Sequence, residues 1–211
     1  MRTQPQNLKF NFDEEKHLYF LNDQIIPGTT EILSSVGLKS FNFQSEENNE
    51  FYRARGTYGH GACELFDKNI LDIDTLDSHT APIVQAWKSF RIDFGFIPEL
   101  IEYRGASNVY KYGFTLDRVG IITLGPYAFK RALVDIKTGA IEPYAEIQTA
   151  GYEIGYAEHF PKEKIDIRLV LHLKDGKYRV KPCVDKNDRN IFLSCLTIHN
   201  YKILKNIRGE K

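Results

Sequence analysis

Cysteine is scarce in this chain of 211 residues, and what there is stands apart. Cys63, Cys183 and Cys195 are far from one another, and no two of them form a C-x-x-C pair. They cannot build a disulfide framework, and a four-cysteine iron–sulfur cluster is not expected because it needs one more thiolate. Free cysteines suit a reducing compartment, so we expect a cytoplasmic protein.

Long apolar runs are also lacking. No stretch approaches the roughly 18 uninterrupted apolar residues that a membrane helix requires. The first nine residues are polar rather than signal-like. We therefore expect a soluble protein that is not exported and has no membrane partner.

The chain carries no excess charge of either sign, since 28 Lys and Arg balance 28 Asp and Glu. This balance argues against a simple basic protein that coats nucleic acid. The charge is nevertheless uneven, because residues 162–211 carry net +7 and the preceding residues net −7. An acidic metal site early and a phosphate-attracting surface late would give that pattern, although solvated helix faces would give it too.

A hydrophobic content of 42% over this length predicts one globular domain with a core of its own. The spacing of the apolar residues and the positions of turn-forming residues predict helices and strands along most of the chain. The predicted strands are a hairpin at 18–26, a meander at 99–105, 109–119 and 127–137, and a second hairpin at 165–173 and 177–183. The predicted helices are one capped by Thr29 or Thr30, one capped by Thr57, one opened by Pro82, one at 143–159 and one at 190–206.

The stretch Leu133–Gly139 combines a strand with paired opposite charges. Side chains alternate along a strand, so Asp135 and Lys137 share one face, about 6–7 Å apart, while Val134 and Ile136 face the core. A carboxylate that binds a divalent cation beside an ammonium that orients or activates water is what phosphodiester hydrolysis needs. Alone, however, such a pair is more often a solvated ion pair worth under about 1 kcal/mol.

Three glycines crowd the segment around His60, at positions 56, 59 and 61. Glycine costs a helix about 1 kcal/mol against alanine, so their presence predicts close approach of another backbone or a ligand. His60 and Glu64 are four residues apart and share a helix face. Either they are a surface pair beside tight helix packing, or they belong to a metal site.

Further polar residues follow the same segments. Asp117 lies late on the predicted strand next to the one that carries Asp135, and Glu102 lies on the strand before it. Gln148 and Tyr152 are four residues apart on the next helix and face the same space. Taken alone, these two residues are the polar rim of an amphipathic helix.

In their order, these motifs resemble the PD-(D/E)XK nuclease superfamily, and within it the RecB-type and phage exonuclease branch. The motifs are R-G-T-Y-G-H at 55–60, Glu102, G-F-T-L-D-R at 113–118, V-D-I-K-T-G at 134–139 and Q-T-A-G-Y at 148–152. The resemblance covers about residues 50–160, with weaker similarity in the N-terminal H-L-Y-F and P-G-T-T-E-I-L. It implies an α/β (α+β) fold with a restriction-endonuclease-like core, a central mixed β-sheet flanked by helices.

The resemblance also implies roles for single residues. It makes His60, Asp117, Asp135 and the Ile136 carbonyl the ligands of Mg²⁺ or Mn²⁺, with Glu64 and Glu102 in a supporting shell. Lys137 positions or activates the attacking water, and Gln148 and Tyr152 lie beside the scissile phosphate. Three arginines near the motifs are expected to contact DNA: Arg53, Arg55 and Arg118.

These roles lead us to expect a metal-dependent deoxyribonuclease formed by a single nuclease domain over residues 1–211. Within it we expect an N-terminal hairpin and helices at 1–98, a catalytic core at about 50–183 and a basic C-terminal helix at 187–211. By family likeness it would be an exonuclease of phage or mobile-element recombination, acting in the host cytoplasm if phage-encoded. Its partners would be DNA, a single-strand annealing protein and further copies of itself. An endonuclease on the same fold and a catalytically silent DNA-binding or scaffold protein remain alternatives, although crowded carboxylates bring no advantage to a protein that only binds DNA.

Overall fold

The protein is described here by a computed structural model that covers residues 9–38, 46–139 and 142–207. For residues 46–55 it describes the backbone alone.

A five-stranded mixed sheet forms the centre of the molecule. Its strands, in spatial order, are β4 (Phe96–Ser107), β5 (Tyr112–Ile122), β6 (Lys130–Lys137), β7 (Ile167–Lys174) and β8 (Lys177–Cys183). Only the β6–β7 pair is parallel. Helix α4 (Ala145–His159) connects these two strands, as a parallel pair requires. The predicted meander and the hairpin around Asp175-Gly176 are both confirmed.

Helices cover the two faces of this sheet. On one face, α2 (Glu46–Asp67) and α3 (Ala81–Asp93) pack Cys63 and Trp87 against Val134 and Ile136. On the other, α1 (Thr29–Ser35), α4 and α5 (Asp188–Leu204) pack against the opposite side of β5 and β6. The expected α/β fold with a central mixed sheet flanked by helices is confirmed. Within the described ranges, no helix is both long enough and apolar enough to cross a bilayer.

The N-terminal strands form a second, three-stranded antiparallel sheet. The hairpin predicted at 18–26 is present as β2 (Leu18–Leu21) and β3 (Gln24–Ile26), and β1 (Phe10–Asp13) pairs with β2. This sheet is docked on β5. The Tyr19 hydroxyl lies 2.8 Å from Thr115 Oγ1, and the Gly113 N–H donates to the Pro27 carbonyl at 2.8 Å. The absent side chain of Gly113 makes room for the Tyr19 ring, since a Cβ there would lie 2.1 Å from Tyr19 Cγ.

Two predicted helix starts are wrong. Helix α1 is capped by Gly28 and not by Thr29 or Thr30. The Thr29 hydroxyl donates to the Gly113 carbonyl at 3.1 Å. Helix α2 already includes residue 46, so Thr57 lies in its interior together with the three glycines. Tight packing explains the tolerance of Gly59, where a Cβ would lie 2.9 Å from Ile83 Cδ1 and 3.2 Å from Thr138 Cγ2.

Strands β4 and β5 are distorted at one level. In a regular strand, residues on one face are two apart. Here Leu116 and Val119 belong to the same core, as do Leu100 and Tyr103, although each pair is three apart. Glu102, between the latter two, has a φ of +49°. Both strands therefore change the face that they give to the core at the level of Glu102 and Asp117.

The packing of α4 against β5 generates a first prediction. A Cβ on Gly155 would lie 2.3 Å from Cε1 of the fully buried Phe114, whereas a Cβ on Gly61 would meet no atom within 4 Å. Overpacking costs about 1–3 kcal/mol, which exceeds the roughly 1 kcal/mol that alanine gains over glycine inside a helix. Thermal unfolding should show Gly155→Ala to be less stable than wild type and Gly61→Ala equally or more stable. Shifts of both variants in the same direction would contradict this account of the packing.

Candidate active site

A cleft of about 760 Å³ opens beside the ends of β5 and β6. Side chains from α2, β4, β5, β6 and α4 line it, together with the N-terminal sheet and the first turn of α1. Most of the residues that the sequence analysis singled out face this one space: His60, Glu64, Glu102, Asp117, Asp135, Ile136, Lys137, Gln148 and Tyr152.

The cleft exists because β5 and β6 part. Their ladder ends at the pair Arg118–Val134. Beyond it, the Ile136 N–H donates to Asp117 Oδ2 at 2.6 Å, so a side chain takes the place of the missing strand partner. The N–H and the carbonyl of one strand residue point to the same edge, and the Ile136 carbonyl therefore faces the same gap. This geometry is compatible with its expected role as a main-chain ligand.

Three side chains meet on the β5 side of the gap. His60 Nδ1 lies 3.7 Å from Asp117 Oδ1 and 3.9 Å from Glu102 Oε1. Ligand atoms of the three residues all lie within 4.8 Å of one another. An ion bound at about 2.1–2.4 Å allows its ligands to be up to about 4.8 Å apart, so one divalent cation fits this donor set. Glu102, expected to be a supporting residue, stands among the ligand atoms themselves.

Burial and mutual repulsion shape the charges of this cluster. Burial raises the pKa of Asp117, and the neighbouring Glu102 carboxylate adds to the rise. Burial lowers the pKa of His60, but the charges of Asp117 and Glu102 outweigh it and leave that pKa above its usual value. The imidazole therefore serves as a counterion to the carboxylates, a place that a metal ion can take when the ring loses its proton.

Asp135 and Lys137 stand across the gap on β6. Lys137 Nζ donates to Asp135 Oδ1 at 3.1 Å and to Gln148 Oε1 at 3.0 Å. Gln148 in turn donates to the Tyr152 hydroxyl at 2.5 Å and to Thr30 Oγ1 at 3.2 Å. The four predicted residues thus form one chain of hydrogen bonds that runs from β6 to α4.

The second carboxylate oxygen of Asp135 is also close to Lys137. Its Oδ2 is buried and has no aligned hydrogen-bond donor among the described residues, although Lys137 Nζ lies 2.9 Å away. Burial, supported by the nearby Asp117 charge, raises the pKa of Asp135 to about 6. Burial lowers the pKa of Lys137, but Asp135 and Asp117 outweigh that effect and raise it. The Lys137 ammonium therefore balances the charge of Asp135, whose carboxylate lines the same cleft as the cluster on β5.

The expected contact of Arg118 with DNA is wrong. Arg118 is fully buried, and its guanidinium donates to Asp67 Oδ2 at 2.6 Å and to Glu102 Oε1 at 2.8 Å. Asp67 also accepts hydrogen bonds from Trp87 and Arg91. Arg118 therefore holds Glu102 in the cluster from behind. Arg118 turns toward α2 at the level where β5 is distorted, so the two-residue alternation of a regular strand does not predict its burial.

The other expected supporting residues have different outcomes. Glu64 lines the cleft, but its carboxylate pairs with Lys68 at 2.6 Å rather than with His60. The side chains of Arg53 and Arg55 lie outside the described residues. Cys63 is fully buried in the core beside Trp87, and burial raises the pKa of its thiol to about 12.

The N-terminal wall of the cleft was missed. Glu14, His17, Tyr19, Thr30 and Arg104 all line the cleft, yet the sequence analysis gave them no role. One signal was present, because H-L-Y-F and P-G-T-T-E-I-L were part of the resemblance. Nothing in the local pattern of those motifs, however, places them against β5.

Comparisons with known proteins find only weak structural similarities. No family model matches the chain, and no curated protein matches it. Among solved structures it is similar to a protein from Eubacterium rectale described as a "putative exonuclease", with a TM-score of 0.45, 14% identity, and coverage of 85% of this chain and 74% of the other. It is also similar to the protein SSO0001, with a TM-score of 0.35, 10% identity and 74% coverage of each chain. Likenesses this weak assign neither a family nor an activity.

The ion pair of Lys137 and Asp135 generates a second prediction, which concerns the variant Lys137→Ala. The variant leaves Asp135, 2% exposed, without its counterion. Breaking a buried pair costs about 3–5 kcal/mol while the remaining charge persists. An Asp whose pKa is raised by folding is penalised above its folded pKa and relieved as the pH falls toward its unfolded value. Thermal unfolding with a chelator should therefore show a larger loss at about pH 8 than at about pH 5.

The matched control for this prediction is the double variant Lys137→Ala/Asp135→Asn. It has no buried charge to leave unpaired, so it should be more stable at pH 8 than Lys137→Ala alone. Equal losses of stability at both pH values, or no recovery in the double variant, would show that the charges of the pair do not contribute to the free energy of unfolding.

Proposed function

We propose that this chain is a metal-dependent DNA nuclease that hydrolyses phosphodiester bonds, and that it does so as a single nuclease domain of the PD-(D/E)XK type. One observation carries the proposal. The imidazole and carboxylates of His60, Glu102 and Asp117 face Asp135 and Lys137 across the gap between β5 and β6. A purely structural ion-pair network has no reason to gather so many acids at the wall of an open cleft.

Mg²⁺ or Mn²⁺ is the cofactor that this donor set favours. Carboxylate and carbonyl oxygens suit Mg²⁺, and an added imidazole makes Mn²⁺ at least as suitable. His60, Glu102 and Asp117 would hold the ion, with Asp135 and the Ile136 carbonyl as the donors from β6. When bound, the ion would neutralise charge on the phosphate and favour the deprotonated form of water.

The residues of β6 and α4 would act on the substrate. Lys137 Nζ, held between Asp135 and Gln148, would orient or activate the attacking water and donate to a phosphate oxygen. Gln148 fixes the position of Nζ through its own carbonyl oxygen, and Tyr152 fixes Gln148. No covalent intermediate on the enzyme is needed.

Within this chemistry we favour an exonuclease of phage or mobile-element recombination that works with a single-strand annealing protein. Among the described residues no separate module for reading base sequence, such as a zinc finger, accompanies the core, so in this part of the protein selecting an internal site would fall to the core itself. Threading of a DNA end into the cleft, within an assembly of several copies, would compensate for a neutral overall charge. An endonuclease with the same site residues is the alternative that the cleavage experiment below tests.

Metal binding gives a third prediction. Isothermal titration with Mn²⁺ should show lower affinity for His60→Ala and Glu102→Gln than for wild type, because the first removes an imidazole donor and the second replaces a charged carboxylate with a neutral amide. Loss of one such donor typically costs at least about 10-fold in affinity. His79→Ala, which changes an exposed histidine, is the matched control and should bind as wild type does. Unchanged affinity in both cluster variants would reduce the cluster to a structural ion-pair network.

Cleavage gives a fourth prediction. With Mn²⁺ or Mg²⁺, wild-type protein should degrade end-labelled linear DNA progressively and leave covalently closed circles intact. Lys137→Gln should lose cleavage by about 100-fold or more while retaining DNA binding, since it replaces the ammonium that acts on water with a neutral amide. The exposed Lys174→Gln is the control. Cleavage by Lys137→Gln at the wild-type rate would refute the assignment, and rapid loss of closed circles would favour the endonuclease.

A further inference from the structure

We propose that the N-terminal sheet provides a nucleotide-binding subsite at the mouth of the cleft, in which His17 stacks on an unpaired base and Arg104, supported by the Phe12 ring, binds the adjacent phosphate. The substrate strand would thus be single-stranded where it enters the site. This inference rests on the proposed nuclease function and adds the substrate class to it.

The position of Arg104 supports the subsite. Arg104 lies directly opposite Thr115 in the β4–β5 ladder, and Thr115 precedes Asp117 by two residues on β5. Two residues of a strand span about 6.5 Å. Arg104 is thus two residues along β4 from Glu102, and its side chain lines the same cleft as the carboxylate cluster.

The aromatic residues form a cluster that is fixed to the same strand. The ring of Phe12 lies 4.8 Å from that of Tyr19 and 5.1 Å from that of His17, measured between centroids. Tyr19 is buried and anchored to Thr115, whereas His17 is exposed and Phe12 half-buried. His17 reaches this place with a φ of +52°, a backbone conformation that costs free energy and is often kept at binding sites. His17 is thus an exposed ring on a rigid support. Proteins that bind single strands without sequence preference stack bases on such rings.

Charge also points to Arg104. Of the described side chains that line the cleft, six are carboxylates and two are lysine or arginine, namely Lys137 and Arg104. Lys137 is committed to the buried Asp135. Arg104 is 38% exposed, and its partner, Glu14 at 2.8 Å, is 76% exposed. An ion pair this exposed contributes little free energy. A phosphate that binds both guanidinium nitrogens can therefore displace the Glu14 carboxylate.

Arg104 and the rings also support each other. The guanidinium lies 4.7 Å from the centre of the Phe12 ring. Arginine stacked on an aromatic face keeps its planar edge available for a phosphate. A base that stacks on His17 must leave its neighbours in a duplex, which is why the subsite selects an unpaired strand.

The test measures binding in Ca²⁺ by fluorescence anisotropy, with a short labelled single strand and a blunt duplex of the same sequence as probes. His17→Ala should weaken binding of the single strand by roughly 5- to 100-fold, the range seen when a stacking ring is removed, and should affect the blunt duplex less. His17→Phe, which keeps a ring, should restore most of the loss. Phe129→Ala, which removes an exposed ring elsewhere, should bind as wild type does.

The charged pair gives two changes of opposite sign. Arg104→Gln should weaken binding and lower the slope of affinity against salt by about 0.7, the value for one phosphate contact on a single strand. Glu14→Gln should tighten binding, because it frees Arg104 from its competitor. A merely structural Arg104–Glu14 pair would not tighten on loss of its acid. Arg179→Gln, at an exposed arginine on β8, is the control.

A series of single strands that each carry one abasic residue identifies the base. Wild-type protein should lose affinity when the abasic residue falls at one particular position, and His17→Ala should be indifferent to it. Wild-type binding by both His17→Ala and Arg104→Gln overturns the subsite, as does equal sensitivity of His17→Ala to the abasic position. Wild-type protein that binds no DNA overturns both proposals, whereas ring-dependent binding without cleavage overturns the nuclease activity alone.

Discussion

The hydrogen bond from the Ile136 N–H to the Asp117 carboxylate is the interaction on which the rest of the site depends. Two neighbouring strands can part inside a sheet only if the backbone groups they abandon find other partners. At 2.6 Å, Asp117 meets that need for β6. The same contact joins the acidic cluster of β5 to the Asp135–Lys137 pair of β6, so the opening of the sheet and the assembly of the site are one event.

Burial makes this arrangement costly and therefore informative. Asp117, Arg118 and Asp135 are all buried, and each is balanced by a specific partner of opposite charge. Buried ion pairs seldom add stability over apolar packing, because desolvation offsets their attraction. Asp117 and Asp135 nevertheless line an open cleft, which is typical of a functional site.

The N-terminal sheet links the two proposals. It adds little to the main core, since its small cluster consists of Tyr19, Leu21, Ile26 and Ala106 with two half-buried phenylalanines. It nevertheless forms one wall of the cleft, and helix α1, which follows it along the chain, supplies Thr30 to the hydrogen-bond chain of Gln148. A segment that packs lightly but reaches the site is better explained by contact with a substrate than by stability alone.

Local physics made much of this protein readable from its sequence. The two-residue period of a strand placed Asp135 and Lys137 on one face and Val134 and Ile136 on the other, and turn residues marked both hairpins, because backbone geometry alone sets these patterns. Only the tertiary structure decided that Arg118 is buried behind Glu102, that Glu102 joins the cluster, and that Tyr19 meets Thr115 from 96 residues away. Those outcomes depend on which faces pack together and on a distortion shared by β4 and β5. Neither produces a regular spacing of residues that could be recognised in the sequence.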